Sequence, residues 1–507
     1  MKKEFLKYYI NIIIVNIINM IIKYDLGIFI FRRDLRLDDN LALELLTKQC
    51  KFILPIFILD SSQIIKTKKN KYYFSENAVQ FICESLQDLN LQLKEFKSKL
   101  FLFYGIPWTI IANLLTRLNK KYNSIAIGFN TDFSNYSDKR DHGIRTVCLK
   151  LNIDIIESDS DYTLRPMNEL LKDDINKLAY KQYGAFYKSS IKVDPLKPFK
   201  NKYNNFVNYK FGNELFSKLE YSIKDLNKFY NTNINLAQHG GRTILLDKLK
   251  KIKDFQDYNN MRDILSYNTT NISAGLNIGC ISIREAYWHI RNKLGNKSII
   301  LKQLYWRDFY LCALAYLPNA KSYTTVIDLR YEQIKWPENS SIKEFWTKLI
   351  DGKTGFLLID AGMNELKTTG FLHNRCRLLI GVFWTKYLQI HIMNPKYGSQ
   401  SGFSRYLVDA IGPSQNKMNH HWILDFDYPG KKFSAPNAPL SGRPMKIDNS
   451  MIKKWDSDCI YIKKWLPQLS DIPCKDLYKW SGSNLHPGPI FDPKEQYNKW
   501  IKLCTGI

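Results

Sequence analysis

The sequence lacks the cysteine and histidine spacings that metal centres require. Its nine cysteines are scattered along 507 residues without a C-x-x-C pair, which argues against a zinc or iron-sulfur site and against a disulfide framework. The adjacent His420 and His421 have no second site with metal-ligand spacing, so a structural or surface role is the simpler interpretation. We therefore expect no metal. The cysteine pattern is typical of a reducing intracellular compartment, the cytoplasm or nucleus, with an organelle or a virion as alternatives.

A signal for export or membrane insertion is also missing. The apolar stretch 8–22 follows a basic start, but three asparagines interrupt it and no small-x-small cleavage site follows. The stretch is also too short and too polar to span a bilayer. We interpret residues 1–25 as an N-terminal extension, with Met20 as an alternative start of translation, and expect no membrane partner.

Acidic residues are too few to balance the basic ones. Lys and Arg total 74 against 48 Asp and Glu, which gives a formal net charge of +26. Such a surplus suits a polyanionic partner, usually nucleic acid. Because the chain is also rich in Lys, Asn and Ile, as an AT-rich genome would encode, compositional drift is the alternative explanation.

The first part of the chain alternates strand-like apolar runs with helical runs. Strands are predicted at 27–31, 52–59, 100–104 and 124–129, and helices from Leu41 onward, at 76–93 and at 109–118. Asp38, Asp39 or Asn40 would cap the first helix. The alternation predicts a doubly wound parallel sheet, a Rossmann-like α/β domain over residues 26–160.

The remainder of the chain first loses its periodicity and then becomes helical. Residues 161–240 carry many Lys, Tyr and Asn and predict a long inter-domain linker that runs over the surface. Beyond it, amphipathic runs at 243–265, 282–294, 300–316 and 342–350 predict helices. Because 507 residues exceed the size of a single core, we expect a second, all-α domain over residues 241–507.

The stretch 369–378, T-G-F-L-H-N-R-C-R-L, combines polar residues with apolar surroundings. Interpreted as one helix, it places Phe371, Asn374 and Leu378 on a single face with Arg377 beside them. An aromatic ring, an amide and a guanidinium would then line one buried wall. The alternative is a helix whose polar residues make structural hydrogen bonds.

Two further stretches carry candidate ligand groups. Residues 269–282 place hydroxyls and glycines just before a helix, one short helix after Tyr258, and suit either phosphate oxygens or a capping loop. Residues 302–310 form an aromatic helix on which Gln303 and Trp306 share a face, as core packing or as a ligand wall.

A lone acid, Asp409, ends the apolar run 403–409, which we interpret as a helix. A buried aspartate needs a cation. Arg377 is the obvious candidate, because a guanidinium can bind a carboxylate through two hydrogen bonds.

Nine motifs occur in an order that resembles the DNA photolyase and cryptochrome family, from about residue 26 to about residue 500. In chain order they are F-R-R-D-L-R-L-D-D-N-L-A-L, F-N-T-D-F-S-N-Y-S-D-K-R-D, Y-K-Q-Y-G-A-F-Y-K, G-G-R-T, T-T-N-I-S-A-G-L-N-I-G, Y-W-R-D-F-Y, G-K-T-G-F-L-L-I-D-A, T-G-F-L-H-N-R-C-R and I-K-K-W-L-P-Q-L. The resemblance implies an N-terminal α/β antenna domain, a long linker and an all-α domain that holds FAD. It also allows a second, antenna chromophore, a folate or a deazaflavin, which no motif assigns.

The resemblance also implies roles for matching residues. The flavin phosphates and ribityl chain would contact Tyr258, Thr269, Thr270, Ile272 and Ser273, and the isoalloxazine would contact Arg307, Asn374, Arg377 and Asp409. Trp306 and Phe371 would stack against a flipped-out lesion. With Gln303, which would hydrogen-bond the lesion, Trp306 and Asn374 would be the catalytic contacts.

The implied reaction is light-driven repair of cyclobutane pyrimidine dimers in DNA by electron transfer from excited, reduced FAD. Of the tryptophan chain that photoreduces flavin in the family, Trp336 matches the outermost member. The middle position holds Ile392, and the innermost falls on Asn419 or, with a one-residue shift, on Trp422, which is also a candidate DNA contact. The expected partner is DNA that contains pyrimidine dimers, bound by a monomer.

Several positions depart from the family pattern. Dimer photolyases carry a glutamate where this chain has Gln303, and a second aspartate near the flavin where it has Ile411. Six-four photolyases carry histidines at the positions of Asn374 and Leu378, which disfavours six-four repair. The alternatives are a cryptochrome-like blue-light flavoprotein without repair activity and a basic DNA-binding protein that has lost flavin.

Overall fold

The N-terminal part of the chain is an α/β unit built on one sheet. The computed structural model describes residues 22–64, 74–172, 178–180, 182–212, 216, 219–316, 335–337, 341–391, 394, 396–398, 405–409 and 446–505. The strands are β1 (Tyr24–Phe31), β2 (Cys50–Leu59), β3 (Phe101–Tyr104), β4 (Ile125–Asn130), β5 (Asp154–Ser158) and β6 (Glu220–Tyr221), in the order β5-β4-β1-β2-β3-β6. Strands β1 to β5 pair in parallel and β6 runs antiparallel to β3, so the predicted α/β fold is confirmed.

Helices connect the strands and cover the sheet. They are α1 (Leu41–Gln49), α2 (Ser61–Ile64), α3 (Glu76–Glu95), α4 (Pro107–Leu118) and α5 (Asn135–Lys150). Strands β1 and β4 are buried along almost their whole length, as expected of parallel strands between helices. Asn40 caps α1, because its Oδ1 accepts a hydrogen bond from the backbone N–H of Leu43 at 3.3 Å.

Helix α5 and strand β5 were not predicted from the sequence. Helix α5 buries Ser137, Asp141, Ile144 and Cys148, so most of its inward face is polar or small and gives little apolar periodicity. Strand β5 is an edge strand whose residues are exposed or half-buried, so it has no continuous apolar run.

Residues 161–240 do more than connect two domains over the surface. They contain a 3₁₀ turn (Met167–Glu169), α6 (Tyr183–Ser190), β6 and a second 3₁₀ segment (Ile223–Phe229). Phe186, Phe206 and Leu226 from this segment are buried. Phe186 packs against Phe309 of the helical part, and Phe206 forms an isolated bridge with Ile53 of β2. The domain boundaries at 160 and 240 stay predictions.

The second half of the described chain is helical. Its helices are α7 (Arg242–Lys250), α8 (Tyr258–Met261), α9 (Ser273–Ile278), α10 (Ile283–Leu294), α11 (Ile299–Tyr316), α12 (Ser341–Asp351), α13 (Leu357–Thr369), α14 (Asn374–Val382), a π-helical turn (Phe383–Tyr387), α15 (Ile452–Trp455), α16 (Ile460–Trp465), α17 (Cys474–Leu477) and α18 (Pro493–Thr505), with 3₁₀ turns at Ile252–Phe255, Asn449–Met451 and Pro467–Leu469. The run 243–265 is not one helix. It is divided among α7, a 3₁₀ turn and α8, because the chain turns to bury Ile252 and Leu265.

The interpretation of 369–378 as one helix is wrong. Helix α13 ends at Thr369, and Gly370 adopts the left-handed conformation with φ 67°, which terminates helices and favours glycine. Helix α14 begins at Asn374 after its cap His373, whose Nδ1 accepts the backbone N–H of Arg375 at 3.1 Å. Phe371 therefore lies in the connection between two helices.

The expectation that Asp409 ends a helix is also wrong for the residues that the structure describes. Residues 405–409 form turns. The backbone N–H of Val408 donates to the carbonyl of Gly370 at 2.8 Å, which ties these turns to the connection between α13 and α14.

Cys459 and Cys474 are paired as a disulfide, which the scattered cysteines did not predict. The pair joins the start of α16 to α17, two residues that lie 15 positions apart in the sequence.

Within the described ranges, every helix is too short or too polar to cross a membrane. No group of three acidic, histidine or cysteine side chains in these ranges has the arrangement of a metal site.

Candidate flavin and lesion site

A cavity of about 390 Å³ opens among α8, α9, α11 and the connection between α13 and α14. This volume lies within the range of small-molecule sites. Twelve of the residues predicted as site residues line it: Tyr258, Thr269, Thr270, Ile272, Ser273, Gln303, Trp306, Arg307, Phe371, Asn374, Arg377 and Asp409. Folding thus brings together residues that are up to 151 positions apart in sequence, from Tyr258 to Asp409.

The two other predicted site residues do not contribute to this wall. Trp336 is not among the lining residues and packs instead against His391 and Trp500, with ring centroids 5.1 Å and 5.7 Å away. Trp422 lies outside the described residues, as do Ile392, Ile411, Asn419, His420 and His421.

Sequence reasoning missed part of the lining. Asn271, Leu276, Asn277, Ile300, Leu304, Tyr310, Leu372 and Arg375 also border the cavity. On α11, Ile300, Leu304 and Tyr310 extend the face of Gln303 and Arg307 by one turn in each direction, so helical periodicity would have found them. Leu276 and Asn277 lie on α9, inside the stretch 269–282 that was expected to precede a helix as a phosphate site or a capping loop.

A buried ion pair closes one side of the cavity. Nη1 and Nη2 of Arg377 lie 3.0 Å and 2.9 Å from Oδ1 and Oδ2 of Asp409. Their side chains are 5% and 2% exposed, so this two-point pair is held in a low dielectric. The predicted pairing of these two residues is therefore present, whereas their contact with a cofactor stays a prediction.

Neighbouring groups fix the ion pair in place. Arg377 Nε donates to the carbonyl of Leu372 at 2.8 Å. Ser273 Oγ donates to Asp409 Oδ2 at 3.1 Å, and Asn277 Nδ2 donates to the carbonyl of Asp409 at 2.8 Å. Helix α9 thus holds the aspartate while α14 supplies the arginine.

The wall of the cavity carries more positive than negative groups. Among the described lining residues, Arg262, Arg307, Arg375 and Arg377 face a single acid, Asp409. Burial lowers the pKa of Arg307 to about 10, which leaves the guanidinium charged at neutral pH. This balance suits an anionic ligand.

Polar groups along one stretch of the wall suit phosphate or sugar oxygens. Thr269, Thr270 and Ser273 border the cavity. The buried Oδ1 of Asn271 has no hydrogen-bond partner among the residues that the structure describes, and buried polar atoms are normally satisfied. A ligand with hydroxyl groups would satisfy this atom.

Aromatic and amide groups form the wall on α11. Trp306 and Gln303 border the cavity one turn apart. The indole of Trp306 stacks on the ring of Tyr183, with centroids 3.4 Å apart and planes inclined by 5°. Phe371 lines the cavity from the connection before α14, with the Arg377 guanidinium 5.8 Å from its ring centroid. An aromatic base could be held between such groups.

Family comparisons match both halves of the chain. A model of the FAD binding domain of DNA photolyase matches residues 300–504. A DNA photolyase model matches residues 28–201. The first match includes α11, α14 and Asp409, which supply much of the cavity wall.

Individual relatives include repair enzymes and a cryptochrome. The deoxyribodipyrimidine photo-lyase of Synechococcus sp. is 27% identical over 490 residues, which cover 91% of this chain and 93% of the relative. Cryptochrome-1 of Drosophila melanogaster is 27% identical over 485 residues, which cover 87% and 84%. An archaeal photolyase from Sulfolobus tokodaii, solved with two FAD molecules, superimposes with a TM-score of 0.77 at 29% identity and covers 95% of this chain and 100% of its own.

Proposed function

This chain belongs to the DNA photolyase and cryptochrome family, and we propose that it repairs cyclobutane pyrimidine dimers in DNA by light-driven electron transfer from FAD. The observation that carries the proposal is the single cavity bordered by the Arg377–Asp409 pair and by Trp306 and Gln303. Cofactor-type and lesion-type groups therefore share one space.

The residues of the cavity fit FAD. The surplus of arginine over acidic side chains along the wall suits an anionic cofactor, and the hydroxyls of Thr269, Thr270 and Ser273 suit phosphate and ribityl oxygens. Arg377 and Asp409 offer a fixed donor and acceptor pair to a flat heterocycle. Apolar side chains of Ile300, Leu304 and Leu372 exclude water beside them.

FAD, when bound in its reduced state, supplies on illumination the electron that splits the cyclobutane ring and receives it back. The protein side chains hold the reactants. Trp306 and Phe371 offer ring surfaces to an unstacked pyrimidine. Gln303 offers an amide that donates to and accepts from a pyrimidine edge but carries no charge. Close placement of the electron donor and acceptor in one cavity favours electron transfer between them.

A cryptochrome-like flavoprotein without repair activity is the second candidate. Gln303 favours it, because dimer photolyases have a carboxylic group at this position. The Drosophila cryptochrome also matches this chain as closely, at 27% identity, as the Synechococcus photolyase does. An antenna chromophore, a folate or a deazaflavin, remains a proposal for either function. The second FAD of the Sulfolobus enzyme was described as a novel light-harvesting cofactor of that protein.

Spectroscopy and a repair assay distinguish these candidates. The purified protein is examined for flavin absorbance, reduced chemically, and illuminated with single- and double-stranded oligonucleotides that contain one dimer. Chemical reduction removes any dependence on the tryptophan route. We expect bound flavin and loss of dimers in light only. Flavin without repair would support the cryptochrome-like function, and a protein free of flavin would overturn both.

A Gln303→Glu variant sharpens the repair assay. The carboxylic group can stabilise charge on a pyrimidine as the amide cannot, so we expect the variant to split more dimers per absorbed photon while its flavin content is unchanged. An unchanged or lower yield would show that the uncharged amide at position 303 does not limit dimer splitting.

A further inference from the structure

Tyr183 lies outside the cavity lining yet packs directly on Trp306, which is part of the lining. The two rings are stacked, with centroids 3.4 Å apart and planes inclined by 5°. The Tyr183 hydroxyl donates to the carbonyl of Lys302 at 2.9 Å, one turn before Trp306 on α11. Tyr183 thus binds both the indole and the backbone that carries it.

Buried neighbours hold Tyr183 in this position. Its side chain is 5% exposed. Phe309 contacts its ring edge-on at 5.8 Å, and Tyr187 stacks on it at 5.7 Å. Because Phe186 of the same helix is fully buried, α6 anchors the tyrosine rigidly against α11.

The stack limits how Trp306 can meet a ligand. A parallel ring at contact distance covers one face of the indole. Trp306 is half-buried and borders the cavity. Tyr310 also stacks on it, offset at 5.9 Å between ring centroids, so the surface left for a ligand is the part that neither tyrosine covers. The orientation of that surface follows the orientation of the Tyr183 ring.

We propose that Tyr183 is a positioning residue that fixes the indole of Trp306, so that one defined face meets an unstacked pyrimidine. The inference rests on the proposed function and deepens it, because it adds α6, from the segment between the two domains, to lesion recognition. Tyr183 acts through Trp306 and does not touch the substrate.

Dark binding assays with flavin-loaded protein test the proposal. The affinities for a duplex with one dimer and for the undamaged duplex are compared in Tyr183→Leu, Tyr183→Phe and Tyr180→Leu. Loss of one aromatic stack lowers the affinity of Tyr183→Leu for the dimer by about 2- to 12-fold, with the affinity for undamaged DNA and the flavin absorbance unchanged. Tyr183→Phe keeps the ring and keeps the selectivity. Tyr180→Leu removes a half-buried ring that packs on Phe186 and leaves the selectivity intact.

A double-mutant cycle with Trp306→Ala separates this inference from the proposed function. If Tyr183 acts through Trp306, then Tyr183→Leu has no further effect on selectivity in the Trp306→Ala background. Equal losses for damaged and undamaged DNA, or full additivity in the cycle, would overturn the positioning role. If Trp306→Ala itself leaves selectivity unchanged, the lesion site of the proposed function is wrong. Tyr183→Met, which fills a similar volume without a flat ring, replaces the leucine variant if that variant does not fold.

Discussion

At the level of single residues, Arg377 pairs with one carboxylate among the described residues, that of Asp409, and both side chains are buried. Removing one partner of a buried pair leaves an unpaired buried charge and costs about 3–5 kcal/mol. We expect Asp409→Ala to lower the free energy of unfolding by about this amount and to purify without flavin. The measurements are the ratio of flavin to protein absorbance and urea unfolding.

Glu157→Ala is the matched control. It removes the carboxylate that binds Arg145 at 2.6 Å, but the Arg145 and Glu157 side chains are 41% and 35% exposed and neither residue lines the cavity. An exposed pair contributes about 0–1 kcal/mol, so this variant should keep its flavin. Full flavin occupancy in Asp409→Ala would refute the proposed placement of the cofactor.

Glu365 on α13 is a second residue with consequences beyond packing. It is 9% exposed and accepts the Tyr461 hydroxyl at 2.6 Å and the backbone N–H of His373 at 3.4 Å. Burial raises its pKa from 4.5 to about 7, against the opposing effects of the Tyr461 hydrogen bond and of the Lys464 and Arg377 charges. The folded protein therefore favours the protonated carboxyl.

The raised pKa predicts pH-dependent stability. Because Glu365 is harder to ionise in the folded state than in the unfolded state, its contribution to the free energy of unfolding is complete below pH 4.5. This contribution is lost as the pH rises through about 7. Glu365→Gln, which cannot ionise, should match the wild type near the acidic limit. It should be more stable at pH values above 7, by on the order of 3 kcal/mol. Urea unfolding across this range measures the difference.

Glu344→Gln, at an exposed position on α12, is the control and should show no such trend. Parallel pH profiles of stability for wild type and Glu365→Gln would contradict the prediction.

At the level of elements, the end of α9 carries one of the contacts between the two halves of the molecule. Gly279 ends α9 in the left-handed conformation, φ 71°, and a Cβ there would lie 2.1 Å from the carbonyl oxygen of Arg33. The loop after β1 is also bound through Arg33 Nη1 to Asn277 Oδ1 at 3.1 Å and through Leu35 N–H to the Ile278 carbonyl at 3.3 Å. Because the start of α9 lines the cavity, this contact positions the site.

Gly279→Ala should therefore loosen the site as well as the fold. Left-handed strain costs about 1–3 kcal/mol, and the clash with a backbone carbonyl cannot be relieved by a side-chain rotation. We expect a lower melting temperature and weaker flavin retention. Gly184→Ala adds the same methyl group to α6, where a Cβ meets nothing within 4 Å, and should leave both quantities unchanged or slightly raised. A Gly279→Ala protein with wild-type melting would show that the loop can move away.

Most strands and several helices of this fold could be predicted from the sequence, because a buried strand needs a run of apolar residues and a half-buried helix needs an apolar periodicity. Strands β1 to β4 are apolar runs, and α10, α11 and α12 match the predicted runs within one or two residues. Helix α5 was missed because its inward face includes Ser137 and Asp141. Asp141 is buried by pairing with Arg32, at 2.9 Å, and a buried ion pair leaves no periodic apolar signal.

The site was predictable in its members but not in its geometry. Twelve residues of the cavity wall could be named without a structure, because the motifs that contain them are recognised from the sequence and its order alone. The interruption between α13 and α14 was not foreseen, since Phe371, which lies within it, keeps helical spacing with Asn374 and Leu378 on α14. Tyr183 was also missed, because its contact with Trp306 joins residues 123 positions apart and depends on how α6 packs.

For the whole molecule, burial makes the surface more basic than the composition suggests. Within the described ranges, eleven Asp and Glu residues are buried, against seven Lys and Arg residues. Pairs such as Arg284 with Asp39, at 2.9 Å and 1% exposure of both side chains, remove acids and bases together. Asp34 and Asp360 add acids that hydrogen bonds to neutral groups help to satisfy. Within the described ranges, the exposed side chains therefore carry a larger net positive charge than those ranges as a whole, and a basic surface suits DNA phosphates.

If this surface charge serves DNA binding, the affinity for DNA should depend steeply on salt concentration. Compositional drift, the alternative explanation of the charge, predicts no such dependence. Each neutralised phosphate adds about −0.9 to the slope of log K against log salt. With six to ten phosphate contacts, the affinity should fall on the order of 10³- to 10⁵-fold between about 50 mM and 200 mM salt. The affinities for damaged and undamaged duplexes should fall in parallel, because stacking of a lesion in the cavity involves no phosphate.

Fluorescence anisotropy with both duplexes measures the slopes. A duplex with uncharged methylphosphonate linkages is the control and should bind more weakly, with a shallower slope. A slope near zero for the natural duplex would leave the basic composition without a role in DNA binding.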